Sequence, residues 1–331
     1  LSDVETAKKC EKYYVKVIEY LEKVQKPLIS FEIIPPDRGK SADIIYRVVE
    51  ELMVFKPPFI DVTSHAANAD YIEQPDGTFM RKITRKRPGT IGLSAAIKYR
   101  FQVETVVHLL CAGFTREETE DALIELNYLG IDNIFAVRGD VRNYKKIHQP
   151  DRTVNNYAQD LVCQIKNMNS GVFLGDEQDA DPTDFCIGVG AYPEKHEEAP
   201  SLAADIRYLK QKVDAGADYI VTQMIFNNAK YFKFVDKCRE AGITVPIIPG
   251  IKLLTSKFHL TSLPRHFNIS FPDKLVRDVQ AAKDKAEVKE IGMDHARKQV
   301  EELLNSGVPC IHFYIMQDPT SVKKVIKSLG I

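Results

Sequence analysis

A single carboxylate, Glu32, stands in the stretch Ser30-Phe31-Glu32-Ile33-Ile34-Pro35-Pro36, at the end of an apolar run and just ahead of two prolines. Leu28, Ile29, Phe31, Ile33 and Ile34 read as a buried strand. The prolines lack a backbone N–H and cannot continue its ladder. A carboxyl group where a buried strand meets a loop is costly without a partner or a task. Two readings follow: an ion pair with a nearby Lys or Arg, or proton transfer by a carboxylic acid. The pattern then recurs. Later apolar runs end at Thr63, His108, Arg138-Gly139-Asp140, Gly190-Ala191-Tyr192, Thr222-Gln223, Pro249-Gly250 and His312-Phe313-Tyr314. Taken alone, His108 reads as a structural histidine and Arg-Gly-Asp as a plain turn. Eight polar, titratable or glycine-bearing strand ends in register are not explained by packing alone.

The elements that position these ends alternate. An amphipathic leading helix over 1–26 stops before Pro27, and strands are expected at 28–33, 59–63, 103–109, 133–137, 185–189, 219–223, 245–248 and 310–314. Between them the 3.6-residue period predicts helices at 42–55, 115–129, 153–168, 201–214, 230–240, 272–283, 294–305 and 321–329. Ser41 is a candidate cap, Thr115-Arg116-Glu117-Glu118 is a capping box, and Gly130, Gly216 and Gly242 are stops. Short apolar strands separated by helices pair in parallel. The expected fold is an α/β (β/α)8 TIM barrel with an extra N-terminal helix, one catalytic domain over 1–331 with the barrel at 28–331. A doubly wound open sheet is the alternative. A barrel demands that the chemistry collect at the carboxyl ends of its strands. Two stretches read as solvated loops: the acidic 166–184, which lacks the order of a calcium loop, and the basic 71–87, where a phosphate-bearing ligand is the other reading.

Composition narrows the function. Of 331 residues 44% are hydrophobic and 27% charged, with a net charge of −1, so nucleic acid and anionic membrane are not expected partners. No apolar run is long enough for a membrane span, and the N-terminal stretch has no signal-peptide core. The chain does not begin with Met, so upstream residues are expected. The six cysteines, Cys10, Cys111, Cys163, Cys186, Cys238 and Cys310, are scattered without a C-x-x-C pair, which favours reduced thiols in a cytoplasmic enzyme over a disulfide framework or a metal site. Gly188-Val189-Gly190 is followed by Pro193 where a dinucleotide fingerprint needs glycine. Any nicotinamide or flavin must therefore be held by loops.

Six motifs in order resemble one family. They are Ser30-Phe31-Glu32 with Pro35-Pro36, Asp61-Val62-Thr63, Val137-Arg138-Gly139-Asp140, and Ala191-Tyr192-Pro193-Glu194-Lys195-His196. Lys212-Val213-Asp214-Ala215-Gly216-Ala217-Asp218 with Thr222-Gln223, and Ile248-Pro249-Gly250-Ile251, complete the set. Spread over about residues 28–316, they resemble methylenetetrahydrofolate reductase, in the bacterial-type form that has the catalytic barrel alone. The resemblance implies a ping-pong enzyme in which NADH or NADPH passes a hydride to FAD, and the flavin passes it to 5,10-methylenetetrahydrofolate, giving 5-methyltetrahydrofolate. Small molecules are then the partners, and homo-oligomer formation stays open. A flavin barrel acting on another cyclic amine, and a flavin- or folate-binding protein without turnover, are the alternatives.

The resemblance also implies roles. Glu32 is the general acid, and Asp140 lies between flavin and folate as a second catalytic group. Thr63, Ser64, Ala66, His108, Arg138, Gly139, Asp140, Tyr157, Ala158, Tyr192, His196, Ala199, Asp205 and Lys212 surround FAD. Glu32, Asp140, Gln223 and His259 meet the substrate. For Asp205 and Lys212 the other reading is two surface charges on one helix face. Three positions depart from the pattern: Ser64 replaces an aromatic residue, His259 a glutamine, and Asp318 an arginine suited to the acidic tail of folate.

Overall fold

The computed structural model describes residues 15–139, 150–175, 179–316 and 318–330. Eight parallel strands close into a barrel: β1 (Leu28–Ile33), β2 (Phe59–Val62), β5 (Glu104–Leu110), β6 (Asn133–Val137), β7 (Cys186–Ala191), β8 (Tyr219–Ile225), β9 (Ile247–Ile251) and β10 (Cys310–Met316). Closure of β1 on both β2 and β10 excludes the open sheet. Around it run α2 (Asp43–Leu52), α3 (Thr90–Phe101), α4 (Arg116–Tyr128), α5 (Ala158–Met168), α6 (Leu202–Asp214), α7 (Asn228–Glu240), α8 (His259–Phe267), α9 (Asp273–Ala281), α10 (Lys285–Asn305) and α11 (Thr320–Ser328). Among the described residues no helix is long and apolar enough to cross a membrane.

Strand alternation divides the apolar residues between two cores. One lies between the sheet and its helices, where Ile29, Phe31 and Ile33 of β1 point. The other fills the lumen with Phe59, Val106, Phe135, Cys186, Tyr219, Val221, Ile248 and Cys310, and α1 (Val17–Glu22) joins it through Val17 and Leu21. Of the leading helix expected over 1–26, residues 1–14 lie outside the described residues, and the short helix Val17–Glu22 is a plug at the amino-terminal end of the barrel. Asn133 holds it there: Oδ1 accepts from Val17 N at 2.8 Å, and Nδ2 donates to Val15 O at 3.3 Å. Gly188 leaves room for the plug's neighbour, since a Cβ there would fall 2.4 Å from the Tyr219 ring.

Local chemistry sets several helix starts. Thr115 and Glu118 form the expected reciprocal box. Ser41 accepts from Asp43 N just ahead of α2, but the N-cap position falls on Ala42, one residue later than expected, and α2 opens at Asp43. Helix α5 begins at Ala158, five residues later than the expected 153, because Asp160 accepts from Asn156 N and Tyr157 N and so builds the cap at Tyr157.

The basic stretch is not a loop. Residues 68–84 form an antiparallel hairpin, β3 (Asn68–Glu73) with β4 (Phe79–Thr84), around Asp76-Gly77. Gly77 takes φ +79°, the left-handed conformation such turns require. Arg85 and Arg87, just beyond it, are half-buried rather than solvated. Helices α3 and α8 also lie where no helix is expected from the periodicity. Helix α8 carries Pro264 inside it, a breaker in any local reading.

Candidate active site

Glu32 is the second-last residue of β1, level with Asp61 on β2 and Tyr314 on β10. Alternation turns it into the lumen together with Ser30, away from the helix-facing Phe31 and Ile33. The alternative of an ion pair with Lys or Arg is not met: among the described residues none lies within 4.0 Å of its carboxylate, and the basic side chain within that distance is His108, with Nε2 at 3.8 Å. Burial pushes the Glu32 carboxyl up from 4.5 to about 7, with His108 and Lys252 opposing the rise and Asp61 adding to it. A carboxyl held near neutrality exchanges a proton readily at physiological pH.

Below Glu32 lies a polar layer. His108 Nε2 sits 3.3 Å from Asp61 Oδ2, Asp61 Oδ1 faces His312 Nδ1 at 4.0 Å, and His312 Nδ1 shares a hydrogen bond with Ser30 Oγ at 2.9 Å. Burial also raises Asp61 to about 7 and depresses both histidines. The Tyr314 hydroxyl donates to Thr222 O at 2.7 Å. Gly250 is what admits that ring, since a Cβ there would lie 2.3 Å from Thr222 O and 2.5 Å from the ring.

The rim on the β2 side holds Thr63, Ser64 and Ala66. Thr63 Oγ1 is buried with no hydrogen-bond partner among the described residues. Ser64 Oγ accepts from Arg85 Nη2 at 3.3 Å, Arg85 Nε donates to His65 O at 3.0 Å, and the guanidinium lies 5.2 Å from the Phe114 ring centre. Ala66 packs near Gly113. A cavity of about 150 Å³ opens here between Ser64, Arg85, Gly89, His108, Phe114 and Glu118.

The rim on the β6–β7 side gathers the other expected residues. Arg138 forms a two-pronged pair with Glu198 at 2.6 and 2.8 Å. Gly139 takes φ +81°, and a Cβ there would press on Ala112 at 3.3 Å. Tyr192 and His196 meet edge to face at 4.6 Å. Asp205 accepts from His196 N at 2.7 Å, and the Ala199 carbonyl accepts from Lys195 Nζ at 2.6 Å. Lys212 Nζ donates to Gly190 O at 2.5 Å, and burial lowers it from 10.5 to about 8 while Asp205 opposes. Asp205 and Lys212 are therefore not plain surface charges: their seven-residue spacing on α6 turns both toward the strand ends. Tyr157 and Ala158 stand farther out at the start of α5, with Tyr157 exposed. Asp140 lies outside the described residues.

On the β8–β9 side, Gln223 Oε1 accepts from Met224 N at 2.8 Å, and His259 opens α8 with Nδ1 accepting from Thr255 N at 3.4 Å. Asp318 accepts from Thr320 N at 3.0 Å, so its carboxylate serves the start of α11. Asp61, His312, Lys252, Arg85 and Glu198 carry no role in the sequence reading. Counting by twos from Thr63 and Tyr314 finds Asp61 and His312 on the same faces; no local signal points to Glu198. Among the described residues no group of His, Cys, Asp and Glu is arranged to hold a metal ion.

The geometry can be set beside known proteins. A family model described as methylenetetrahydrofolate reductase matches residues 17–330. Methylenetetrahydrofolate reductase 1 of Schizosaccharomyces pombe is 30% identical over 313 residues, 93% of this chain but 46% of that protein. A probable methylenetetrahydrofolate reductase (NADH) of rice is 28% identical, with 96% of this chain and 51% of that protein covered. The chain thus spans about half the length of these eukaryotic relatives. The 5,10-methylenetetrahydrofolate reductase of Escherichia coli is 30% identical over 304 residues, covering 92% of this chain and 90% of that one. A Clostridium thermocellum protein described as binding two copies of 5-methyl-5,6,7,8-tetrahydrofolic acid shares the fold, with a TM-score of 0.55 at 15% identity over 93% of this chain and 96% of that one.

Proposed function

The chain belongs to the methylenetetrahydrofolate reductase family, and from that premise we propose that it reduces 5,10-methylenetetrahydrofolate to 5-methyltetrahydrofolate with NADH or NADPH, through FAD. The observation that carries this reading is Glu32, a carboxyl held near neutrality by burial at the mouth of the barrel.

The substrate's five-membered ring must open before its one-carbon unit can accept a hydride. Glu32 gives its proton to the departing nitrogen, the carbon–nitrogen bond breaks toward that nitrogen, and an iminium remains on the other. Hydride addition to the iminium carbon completes the methyl group. Burial raises the Glu32 carboxyl to about 7, so near neutral pH a sizeable share of it carries the proton when the substrate arrives. The Gln223 amide can donate to one ligand and accept from another, which suits a position used in turn by folate and nicotinamide.

The residues present fit a flavin. Thr63 Oγ1 is a buried hydroxyl with bonding capacity to spare, a Cβ on Gly190 would have no atom within 4 Å, and Arg138 and Lys212 bring cationic groups to one rim. Thr63, His108, Gly139, Tyr192 and His196 would hold the ring end, and Lys212 the diphosphate, with Asp205 anchoring His196 N as its support. When bound, FAD supplies the two-electron carrier between the two substrates. Asp140 is assigned by resemblance beside the ring. Ser64, tied to Arg85, leaves the neighbouring aromatic position unfilled, and Asp318 offers no charge attraction to the folate tail. The free thiols Cys111, Cys163, Cys186, Cys238 and Cys310 fit a cytoplasmic setting.

The test is an anaerobic pair of half-reactions on FAD-loaded protein. Bleaching by NADH or NADPH followed by recolouring with methylenetetrahydrofolate is expected. A protein that takes up no FAD, or bleaches and is not recoloured, overturns the reading.

A further inference from the structure

Glu32 shares its surroundings with two charges of opposite sign that the reaction does not use directly. From β2, Asp61 approaches through His108, whose Nε2 lies 3.3 Å from Asp61 Oδ2 and 3.8 Å from Glu32 Oε2. Asp61 is only 1% exposed, and among the described residues no Lys or Arg lies within ion-pair distance of it. Among the described residues the basic side chains within 4.0 Å of it are His108 and His312, both kept neutral by burial. From the other side comes Lys252, the residue that follows β9. Ile251 pairs with Phe313 and Glu32 with Tyr314, so Lys252 and Glu32 flank Tyr314 at one level of the barrel. Lys252 is half-buried and makes no hydrogen bond or ion pair among the described residues. Its charge is felt at Glu32 and at His259. Tyr314, between them, is a neutral phenol bonded to Thr222 O. Among the described residues, Asp61, His108, Tyr314 and Lys252 are thus the ionisable groups that face Glu32 from β2, β5, β10 and the end of β9.

We propose that Asp61 and Lys252 are positioning residues of opposite sign for Glu32: Asp61, acting through His108, keeps the proton on the acid, Lys252 draws it off, and the pair together sets the pH span in which Glu32 can donate. The physical basis is that a like charge disfavours ionisation of a neighbouring carboxyl and an opposite charge favours it, both strongly where water is excluded. In the tautomer with its hydrogen on Nε2, the neutral His108 ring between the two carboxyls can give that hydrogen to only one of them. When Asp61 holds that hydrogen, Glu32 keeps its own proton. The catalytic consequence rests on the acid role given to Glu32 above; the charge balance itself belongs to the ligand-free chain.

The experiment is a carbon-13 NMR titration of the apoprotein labelled at glutamate side-chain carboxyls, with the Glu32 signal identified by its loss in Glu32→Gln. Asp61→Asn is expected to lower the Glu32 midpoint and Lys252→Met to raise it, each by about one pH unit, or about tenfold in proton affinity. Lys252→Arg keeps the charge and leaves the midpoint near that of the wild type. Shifts in the same direction, or no shift in either variant, overturn the proposal. If Asp61→Asn does not fold, Lys252→Met decides alone: a rise supports the proposal and anything else sinks it. In FAD-loaded protein the basic limb of the folate half-reaction should follow the same two displacements. Opposite NMR shifts in a protein that never turns over folate would overturn the acid role and leave the charge balance standing.

Discussion

The two ends of the barrel handle buried charges in contrary ways. At the amino-terminal end, α1 lays Val17 and Leu21 against Phe59, Phe135 and Tyr219, and Asn133 spends both ends of its amide on the plug. The buried Lys98 there is paired with Glu104, the first residue of β5. At the carboxyl end, among the described residues, Glu32 has no Lys or Arg within ion-pair distance and the basic groups within reach of Asp61 are histidines; buried hydroxyls without a partner occur at both ends, Thr63 here and Tyr219 at the start of β8. Matched groups stabilise; unmatched buried groups cost stability and are held in place by the rest of the fold. The contrast separates stability from chemistry along the barrel axis, and it can be broken from either end.

The largest effect belongs to the mouth. Glu32→Gln should slow folate reduction by about 10²–10⁴-fold, the usual contribution of a general acid, while flavin reduction by the nicotinamide changes little. Stopped-flow measurement of both half-reactions checks this, and equal losses in the two would collapse the division of labour. From the other end, Leu21→Ala should cost about 2–5 kcal/mol of stability by opening a cavity under the lumen core. Denaturant melts would show it, and the half-reactions of the protein that remains folded should be unaltered.

A third effect, between the stability changes at Leu21 and Thr115, is pH-dependent. Glu32 has its folded value raised from 4.5 to about 7, so its contribution to stability is full below about 4.5 and is lost as pH rises through about 7. Apoprotein melts across that window should flatten in Glu32→Gln; an unchanged slope would mean that the mouth carries no such burden. Smallest is Thr115→Ala, which removes the capping box of α4 on the outside of the barrel. It should cost about 1 kcal/mol and leave turnover untouched, as thermal unfolding and assay together would record.

Much of this organisation is legible in the linear chain because it is local. Alternating apolar runs, the Thr115 box and the prolines after β1 each act within a few residues, so the strand count and the barrel follow from them. The hairpin of β3 and β4 is harder to read. Its exposed strands mix Tyr71, Phe79 and Met80 with charges, and without a buried face the alternation has no contrast. Helix α8 hides behind Pro264, where neighbouring packing outweighs a local breaker. By spacing alone Arg85 and Lys212 can be read as surface cations, and only the family resemblance sets Lys212 beside a cofactor. Only folding carries Arg85 to Ser64 and Lys212 to the Gly190 carbonyl.

Glu32 shows where the boundary falls. Its place at the end of a buried strand before two prolines is set by residues within a few positions of it, and so is the expectation that it does chemistry. Which groups surround it is decided by closure of the barrel, which brings β2, β5 and β10 to its side from 29, 76 and 282 residues away at Asp61, His108 and Tyr314. Whether a carboxyl is charged depends on the water and charges within a few ångströms, and tertiary structure alone determines those.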